Sequence, residues 1–383
     1  MQTEQVTGKR PCVGINAHLL SGEAGYRRAG IHQYIFQVLR HLPQGEGDPD
    51  YLVFTNQGDV TAGKAGMTAV STRLNTSSRL RRILWEQFIW PLQARRHGVD
   101  LLHSMAFVTP LLSRRTAVVT IYDLSFMHYP KQFPASQRRY LTTMTRQSCR
   151  RARRIIAISQ SSRQDVHQFF NVPPDRIDVV LPGVDEVYRP LPEETVRTFR
   201  REKGLGRFIL HVGTLQPRKN IPVLLNAFAN LPPSDLKLVL VGGKGWLYEE
   251  IFTQVKKLSI EERVLFTGYV PDAELPLWYN AAELLVFPSV YEGFGMPVVE
   301  AMACGTPVIA SNASSLPEAA GEAGLLFAPD NAAELTDRIT AVRQDPTLRA
   351  KLKEWGLQQA RNFSWDRAGR ETAVVYRRAL QGR

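Results

Sequence analysis

The chain has 383 residues, which is enough for two domains of ordinary size, each with its own hydrophobic core. Its 48 Lys and Arg residues exceed its 36 Asp and Glu residues and give a formal net charge of +12. The three cysteines are widely spaced and include no C-x-x-C pair, which predicts a reducing compartment.

The positive charge is concentrated in the first half of the chain. Residues 1–190 hold 25 basic and 14 acidic residues, whereas the remainder holds 23 and 22. A basic half of this kind fits a nucleic acid, a membrane surface or an acidic substrate. Nucleic acid ranks low among these partners, because the chain has no zinc-ligand spacing and no aromatic RNA-binding motif.

Nothing in the sequence predicts a segment that crosses a membrane. Residues 1–10 are polar, unlike a signal peptide, and no run of about 18 apolar residues could span a bilayer. We therefore expect a cytoplasmic protein, one that could rest on the inner face of the plasma membrane.

Short apolar runs alternate with helical stretches along the whole chain, which is the pattern of an α/β fold. In the first half, strands are predicted at residues 12–16, 51–54, 100–103, 117–121 and 154–158. After a break at 181–183 and a Pro- and Glu-containing segment at 190–194, strands are predicted at 208–212, 236–241, 264–266, 284–287 and 307–310. The sequence thus predicts two domains, at residues 1–188 and 189–363, followed by a last helix.

The segment at residues 79–96, R-L-R-R-I-L-W-E-Q-F-I-W-P-L-Q-A-R-R, mixes arginines with Trp85, Phe88 and Trp90. As a helix, it could lie in the interface of an anionic membrane. A helix that faces the core and extends its arginines into solvent explains the same residues and is slightly favoured.

Two basic residues follow the strand predicted at 208–212. Gly213 comes directly after that strand, and Arg218 and Lys219 come five residues later. Arg can bind two phosphate oxygens and Lys can act as a point charge, so the pair could stabilise a leaving diphosphate in place of a metal. Gly243 follows the strand predicted at 236–241 and could approach the same ligand.

The most informative stretch is E-G-F-G-M-P-V-V-E at residues 292–300. It follows a buried strand and leads into a helix that is expected to start at Pro297. Ligands of parallel sheets sit at the carboxyl ends of strands, and the amides at a helix start favour anionic oxygen. Glu292 and Glu300 can accept hydrogen bonds from hydroxyl groups, so the turn is suited to a nucleoside diphosphate sugar.

This stretch resembles the signature of family 4 of the retaining glycosyltransferases. Four further segments are similar to that family: H-V-G-T-L-Q-P-R-K-N-I-P-V-L-L-N-A-F at 211–228, V-V-T-I-Y-D-L-S-F-M-H-Y-P at 118–130, R-I-I-A-I-S-Q-S-S-R at 154–163 and F-S-W-D-R-A-G-R-E-T at 363–372. The resemblance implies a GT-B fold, in which two Rossmann-like domains face each other across a cleft. It also implies that residues 364–383 form a helix that crosses back to the first, acceptor-side domain.

The resemblance further assigns roles to particular residues of the second domain. It implies that Glu300 holds the ribose hydroxyls and that Glu292 holds the hydroxyls of the donor sugar. It implies that Phe294 and Gly295 offer backbone amides to the sugar or the phosphate. A covalent nucleophilic role for Glu292 is the weaker interpretation, because members of the family are generally thought to react on one face of the sugar.

The segment at Tyr269 and Val270 is similar to the one on which the nucleotide base rests in that family. In the first domain, residues 25–34 look like the family's glycine loop near the phosphate and the acceptor, and Gly30 is its best candidate. Arg27 and Arg28 in the same loop are equally well explained as solvated.

Tyr122 stands where many members of the family have His. A tyrosine with a pKa near ~10 is a poor base at neutral pH, so we expect Tyr122 to orient the sugar and Asp123 to share that task. The alternative is a tyrosine at a strand end that packs in the core with its hydroxyl satisfied.

We therefore predict a metal-independent retaining glycosyltransferase of polysaccharide biosynthesis that needs no cofactor. Its donor is expected to be GDP-mannose and its acceptor a saccharide or a lipid-linked saccharide. UDP-glucose and UDP-N-acetylglucosamine remain open as donors. The rival functions are a sugar-nucleotide epimerase on the same double fold and a catalytically silent subunit that binds a nucleotide sugar.

Overall fold

Two parallel sheets organise the chain in a computed structural model that describes residues 10–20, 30–56, 64, 66–72, 74, 76, 78–245 and 248–381. The chain divides into two units. The first consists of residues Met1–Leu181 and Trp365–Arg383, and the second consists of residues Pro182–Ser364. Each unit is an α/β domain of the Rossmann type, as predicted.

The sheet of the first unit has seven parallel strands in the order β3-β2-β1-β4-β5-β6-β7. The strands are β1 (Cys12–Asn16), β2 (Asp50–Thr55), β3 (Met67–Ser71), β4 (Leu101–Ser104), β5 (Thr116–Ile121), β6 (Arg154–Ala157) and β7 (Ile177–Val179). All five strands predicted here are found, and none of their ends is shifted by more than one residue. The sequence did not predict the two edge strands, β3 and β7, because β3 is partly exposed and β7 is both partly exposed and only three residues long.

Helices α1 to α6 accompany this sheet in the described part of the unit: α1 (Ile31–His41), α2 (Arg79–Leu84), α3 (Trp90–Arg96), α4 (Ser125–His128), α5 (Ala135–Arg151) and α6 (Gln160–Phe170). A π-helical turn, Trp85–Ile89, joins α2 to α3. Short 3-10 turns lie at Pro130–Gln132 and Pro174–Arg176. Ser159 caps α6, since its side chain accepts a hydrogen bond from the amide of Ser162.

The sheet of the second unit has six parallel strands in the order β10-β9-β8-β11-β12-β13. The strands are β8 (Phe208–Val212), β9 (Lys237–Val241), β10 (Val264–Gly268), β11 (Leu284–Phe287), β12 (Val308–Ser311) and β13 (Leu325–Phe327). The sequence predicted the first five. It did not predict β13, an edge strand of three residues that pairs with β12.

Among the residues that the structure describes, helices α7 to α14 accompany the second sheet: α7 (Glu193–Glu202), α8 (Ile221–Ala229), α9 (Glu249–Lys257), α10 (Leu275–Ala281), α11 (Met296–Ala303), α12 (Leu316–Ala320), α13 (Ala332–Gln344) and α14 (Pro346–Ala360). Three 3-10 turns lie at Pro217–Lys219, Glu261–Arg263 and Gly321–Ala323. The central strands β8 and β11 are buried along their whole length, as expected where helices cover both faces of a parallel sheet.

The last helix, α15 (Trp365–Gln381), packs on the first unit. The hydroxyl of its Tyr376 lies 2.7 Å from Nδ1 of His103, and its Arg377 forms an ion pair of 2.9 Å with Asp48. Residues 182–188, which we expected in the first domain, belong instead to the second unit. The reason lies in local contacts, because the amide of Val184 donates to the carbonyl of Phe363 and the ring of Tyr188 packs on Tyr279.

All three cysteines are buried thiols. Cys12 and Cys149 lie in the first unit, and Cys304 lies in the second. Burial raises the pKa of Cys149 to about 12 and also raises the pKa of Cys304.

Candidate active site

The strand order of the second sheet reverses between β8 and β11, which lie side by side at its centre. Segments that leave two such strands turn to opposite sides and open a crevice at the carboxyl edge, where ligands of α/β sheets bind. The segment after β8 carries Arg218 and Lys219, and the segment after β11 carries Glu292. The fold therefore brings the adjacent pair Arg218 and Lys219 to Glu292, which is more than 70 positions away in sequence.

These three residues form an ion cluster in which Lys219 and Glu292 are buried and Arg218 is partly buried. Lys219 Nζ donates to Glu292 Oε1 at 2.7 Å, and Arg218 Nη1 donates to Glu292 Oε2 at 2.9 Å. Arg218 Nη1 also donates to the carbonyl of Tyr291 at 2.8 Å, and the Lys219 ammonium lies 4.9 Å from the centre of the Phe287 ring. Two cations and one carboxylate leave a net charge of +1.

The electrostatics of the cluster favour an ionised carboxylate. Burial raises the pKa of Glu292, but the nearby Lys219 and Arg218 outweigh that effect and lower the pKa to about 2. Burial and the Lys219 charge lower the pKa of the neighbouring His211 to about 4, so its imidazole is neutral at pH 7. The cluster therefore offers a fixed positive charge and a carboxylate that is a weak base.

Three polar side chains that sequence reasoning missed hold the loops around this cluster. Asn220 has a left-handed backbone (φ 52°), and its Nδ2 donates to the carbonyls of Pro288 and Pro329. Ser314 accepts from the amide of Glu292 at 2.8 Å, and Ser315 donates to the Glu292 carbonyl at 3.0 Å. The only signal in the sequence was an Asn directly after the basic pair and a Ser pair just after a strand.

Gly295 turns the chain into α11. Its φ is 106°, and a Cβ at this position would lie 2.6 Å from a methyl carbon of Leu316, so a side chain does not fit. Phe294 is buried with its ring 5.3 Å from that of Phe363, so only its backbone can serve a ligand. Helix α11 begins at Met296, one residue before the expected Pro297, and the amide of Val298 donates to the carbonyl of Gly295 at 3.0 Å.

Glu300 lies within α11, separate from the ion cluster. Its Oε2 accepts a hydrogen bond of 2.7 Å from the hydroxyl of Tyr279 on α10. Burial raises the pKa of Glu300 to about 7; the Tyr279 hydrogen bond lowers it, and the charges of Asp272 and Asp185 raise it further. Its carboxyl is thus poised between the neutral and the ionised form near neutral pH.

The glycines after β8 and β9 bring two loops into contact. The amide of Gly213 donates to the carbonyl of Val241 at 2.8 Å, and the carbonyl of Gly243 accepts from the amide of Leu215 at 3.0 Å. At the intervening Gly242 (φ 147°), a Cβ would lie 2.1 Å from the carbonyl oxygen of Gly213, so this close approach requires glycine. A Cβ at Gly243 would meet no atom within 4 Å.

Tyr269 and Val270 directly follow β10, at the same carboxyl edge of the sheet. Val270 is buried, whereas Tyr269 is half-exposed. Their expected role under the nucleotide base stays a prediction.

The predicted residues of the first unit make mostly structural contacts. The Tyr122 hydroxyl donates to the carbonyl of Met105 at 2.7 Å, and its ring packs edge-on against Tyr34. Asp123 accepts from the amide of Ser125 at the start of α4. Tyr122 thus has the geometry of the alternative weighed from the sequence, a packed tyrosine with a satisfied hydroxyl. The orienting roles of Tyr122 and Asp123 stay predictions.

Gly30 precedes α1 with φ 69°, and its carbonyl accepts from the amide of Tyr34 at 3.0 Å. It starts a helix, and its predicted place near the phosphate stays a prediction. Arg27 and Arg28 lie outside the described residues.

A buried polar cluster at the carboxyl end of β1 was also missed from the sequence. Asn16 Nδ2 donates to Glu86 Oε1 at 3.3 Å, and His18 Nδ1 lies 2.8 Å from Oγ1 of Thr76. Burial raises the pKa of Glu86 to about 7, and burial together with Arg82 lowers the pKa of His18 to about 3. Both groups are thus shifted toward their neutral forms.

Within the described part of the chain, no group of three or more His, Cys, Asp or Glu side chains is placed to hold a metal ion. No helix in the same residues combines the length and apolar character needed to cross a bilayer.

Comparisons with known proteins agree with this geometry. A family model for glycosyl transferases group 1 matches residues 193–359, and a model for glycosyltransferase family 4 matches residues 28–187. O-antigen chain mannosyltransferase B of Escherichia coli is 35% identical over 282 residues, which cover 72% of this chain and 74% of that protein. The chain belongs to glycosyltransferase family 4.

This family 4 glycosyltransferase is also similar to D-inositol 3-phosphate glycosyltransferase of Corynebacterium glutamicum (strain R). That relative is 33% identical over 240 residues, covering 59% of this chain and 57% of the relative. Among solved structures, sucrose-phosphate synthase from Thermosynechococcus elongatus matches with a TM-score of 0.77 at 22% identity, covering 98% of this chain and all of that one. At that identity the structural match supports the GT-B fold alone.

Proposed function

We propose that this enzyme is a metal-independent retaining glycosyltransferase that moves mannose from GDP-mannose to a saccharide or glycolipid acceptor. The observation that carries the proposal is the Arg218, Lys219 and Glu292 cluster at the switch point of the second sheet. The mannosyl part is supported by the 35% identity to O-antigen chain mannosyltransferase B.

The cluster suits the leaving group of glycosyl transfer. Breaking the bond from the anomeric carbon to the diphosphate oxygen places negative charge on the diphosphate, and a fixed net charge of +1 stabilises it. Because Arg218 and Lys219 are already held by Glu292, little reorganisation is needed as that charge develops. In this proposal the two side chains provide the positive charge that a metal ion would otherwise supply, and no cofactor takes part.

Glu292 serves here as a hydrogen-bond acceptor for the donor sugar and as the anchor of the two cations. A carboxylate whose pKa is about 2 is a weak base and a weak nucleophile, so this role fits better than covalent catalysis. Retention would then follow from attack on the face that the diphosphate leaves.

The nucleotide would lie along the carboxyl edge of the second sheet. We assign the ribose hydroxyls to Glu300 and the phosphates to the amides of Phe294 and Gly295 at the start of α11. Gly213 and Gly243 would allow the ligand to approach the backbone, and the base would rest on Tyr269 and Val270.

A donor screen tests the proposal. Thermal shifts would be measured with GDP-mannose, UDP-glucose and UDP-N-acetylglucosamine, and transfer from the best binder to saccharide acceptors would follow, with and without EDTA. We expect the largest shift with GDP-mannose, transfer that EDTA leaves unchanged, and an axial anomeric bond preserved in the product by NMR.

Each rival function has its own signature in the same assays. A larger thermal shift with a UDP-sugar than with GDP-mannose would identify that UDP-sugar as the donor. Inversion at the anomeric carbon would refute retention. Isomerisation of the nucleotide sugar without an acceptor would identify an epimerase. Tight binding with neither transfer nor isomerisation would identify a silent binding subunit.

A further inference from the structure

Residues 79–96 form one continuous helical segment, composed of α2, the π-helical turn and α3. The residues at both junctions have right-handed helical dihedral angles, and the amide of Trp90 donates to the carbonyl of Trp85, five residues earlier. Such π-helical turns are rare and often occur at functional sites. This one changes which side chains face the core.

The two tryptophans of the segment are fully buried. Trp85 and Trp90 pack with ring centroids 5.9 Å apart and an interplanar angle of 15°. In a regular α-helix, residues five positions apart point in directions that differ by roughly 140°. The π-helical turn lets both rings face the core, so neither is available to a membrane.

The opposite face carries a row of large apolar side chains at four-residue intervals, which we call the apolar stripe. Leu80, Leu84, Phe88 and Leu92 are between 48% and 67% exposed. Leu112, at 78% exposed, lies in a loop that Gln87 fastens to the same helix through hydrogen bonds with Thr109 and Leu111. Contiguous exposed apolar side chains of this size mark an interaction surface.

Arginines flank the apolar stripe at both ends. Residues 79–96 include five arginines and a single acidic residue, Glu86, which is buried on the core side. Arg79 and Arg81 are exposed in the first turn, and Arg95 and Arg96 are exposed in the last turn. The exposed face is therefore apolar in its middle and cationic at both ends.

We propose that the apolar stripe docks this enzyme on an anionic lipid bilayer, with the helix lying in the plane of the membrane surface. A helix with apolar side chains on one face and arginines around them binds by burying those side chains among the lipid headgroups and by attraction to anionic lipids. The proposal does not depend on which sugar donor the enzyme uses.

Charge favours a bilayer over a second copy of the chain. A two-fold symmetric dimer through this surface would place the same patch of each copy against the other, and with it both sets of arginines. Like charges at such short range oppose that pairing, whereas phosphate headgroups complement it.

Co-sedimentation of the full chain with vesicles tests the proposal. We expect binding to mixed phosphatidylcholine and phosphatidylglycerol vesicles at low salt, with little binding to phosphatidylcholine alone and a marked loss at high salt. Leu84→Gln with Phe88→Gln should lower the affinity at least tenfold. Arg81→Glu with Arg95→Glu should do the same.

Matched control variants lie in the second unit. Val187→Gln with Leu265→Gln replaces two other exposed apolar side chains, and Arg201→Glu with Arg361→Glu reverses two other exposed charges. Neither pair should change vesicle binding. All variants should keep the donor affinity of the parent, which shows that they fold.

Three outcomes would overturn the proposal. The first is no binding to anionic vesicles at low salt, and the second is equal loss in the control variants. The third is that the wild type does not bind vesicles but sediments as a dimer, which the Leu84 and Phe88 changes convert to a monomer. That result would assign the surface to a second copy of the chain.

Discussion

Two carboxyl groups, one in each unit, are buried to the same extent, but their pKa values are shifted in opposite directions. Glu292 and Glu86 are each 9% exposed. Burial raises the pKa of both, but Lys219 and Arg218 bring Glu292 down to about 2. Glu86 has one cation, Arg82 at 4.0 Å, and its pKa stays at about 7. Burial thus imposes the same kind of penalty at both places, and the number and distance of the cations decide the sign of the shift.

The two groups therefore give opposite contributions to the pH dependence of stability. An unfolded Glu titrates near 4.5. Between about 2 and 4.5 the unfolded chain binds more protons than folded Glu292, so stability is lost as the pH falls through that window. Between about 4.5 and 7 folded Glu86 binds more protons than the unfolded chain, so its contribution is lost as the pH rises.

Removing the cations should give the largest effect. Arg218→Met with Lys219→Met should slow transfer by roughly a hundredfold or more, because the leaving diphosphate loses its stabilising charges. It should also destabilise the second unit by about 3–5 kcal/mol, because Glu292 is left as an unpaired buried carboxylate. Turnover and thermal unfolding at pH 7 measure the two effects.

A third substitution separates the two consequences. Adding Glu292→Gln removes the unpaired carboxylate and should recover most of the stability, while transfer stays slow. Near-normal turnover in either variant would refute the assignment of Arg218 and Lys219 to the diphosphate. Failure of Glu292→Gln to recover stability would show that the cations support the fold in another way.

Removing the charge of the other buried carboxyl group, Glu86, should stabilise the protein. Glu86→Gln keeps an oxygen for Asn16 but cannot ionise, so above pH 7 it should raise the free energy of unfolding by on the order of 2 kcal/mol. At pH 5, where Glu86 is already protonated in the folded state, the gain should largely vanish. Denaturant unfolding at the two pH values is the measurement, and an equal gain at both would contradict the raised pKa.

Glu300 provides an intermediate case, with a raised pKa and a proposed ligand. Ribose hydroxyls favour the ionised carboxylate, so affinity for the free nucleoside diphosphate should rise with pH, by at most about tenfold per pH unit below 7, and level off above. Calorimetry on the wild type and on Glu300→Gln separates the contribution of Glu300 to this pH dependence from the contribution of the phosphate, which also titrates. Identical pH profiles would remove Glu300 from the ribose site.

The smallest effect is expected at Tyr122. Tyr122→Phe deletes one hydrogen bond to the Met105 carbonyl and should cost about 1 kcal/mol of stability, with most of the transfer activity retained. Tyr122→Ala removes a packed ring and should lose far more of both. A Phe variant as inactive as the Ala variant would instead require a catalytic role for the hydroxyl.

The predictability of the fold varied with burial. Strands such as β8 and β11 are covered on both faces and appear in the sequence as continuous apolar runs. The edge strands β3, β7 and β13 are partly exposed, and β7 and β13 have only three residues each. Sequence patterning therefore captured the centre of each sheet and one edge strand, β10, and missed the other three edge strands.

In the candidate site, sequence reasoning identified the residues suited to the chemistry but did not predict the contacts that they make with one another. It placed Arg218, Lys219 and Glu292 in one chemical scheme but assigned them to different groups of the donor, whereas the fold pairs them with one another. Asn220 and Ser314 act on backbone atoms more than 20 positions away, and a local pattern carries no information about such partners. The hydroxyl of Tyr122 is likewise engaged by Met105, which only the packing reveals.

The buried cysteines can report on the local opening of each unit, because both units contain at least one of them. Alkylating reagents attack the thiolate, and a buried thiol whose pKa is raised reacts only when its surroundings open. Cys304 is held between α11 and β12 of the second unit, whereas Cys149 is held near the end of α5 in the first. Their labelling rates, followed by mass spectrometry with and without a nucleotide sugar, would show which unit a ligand rigidifies without any engineered probe.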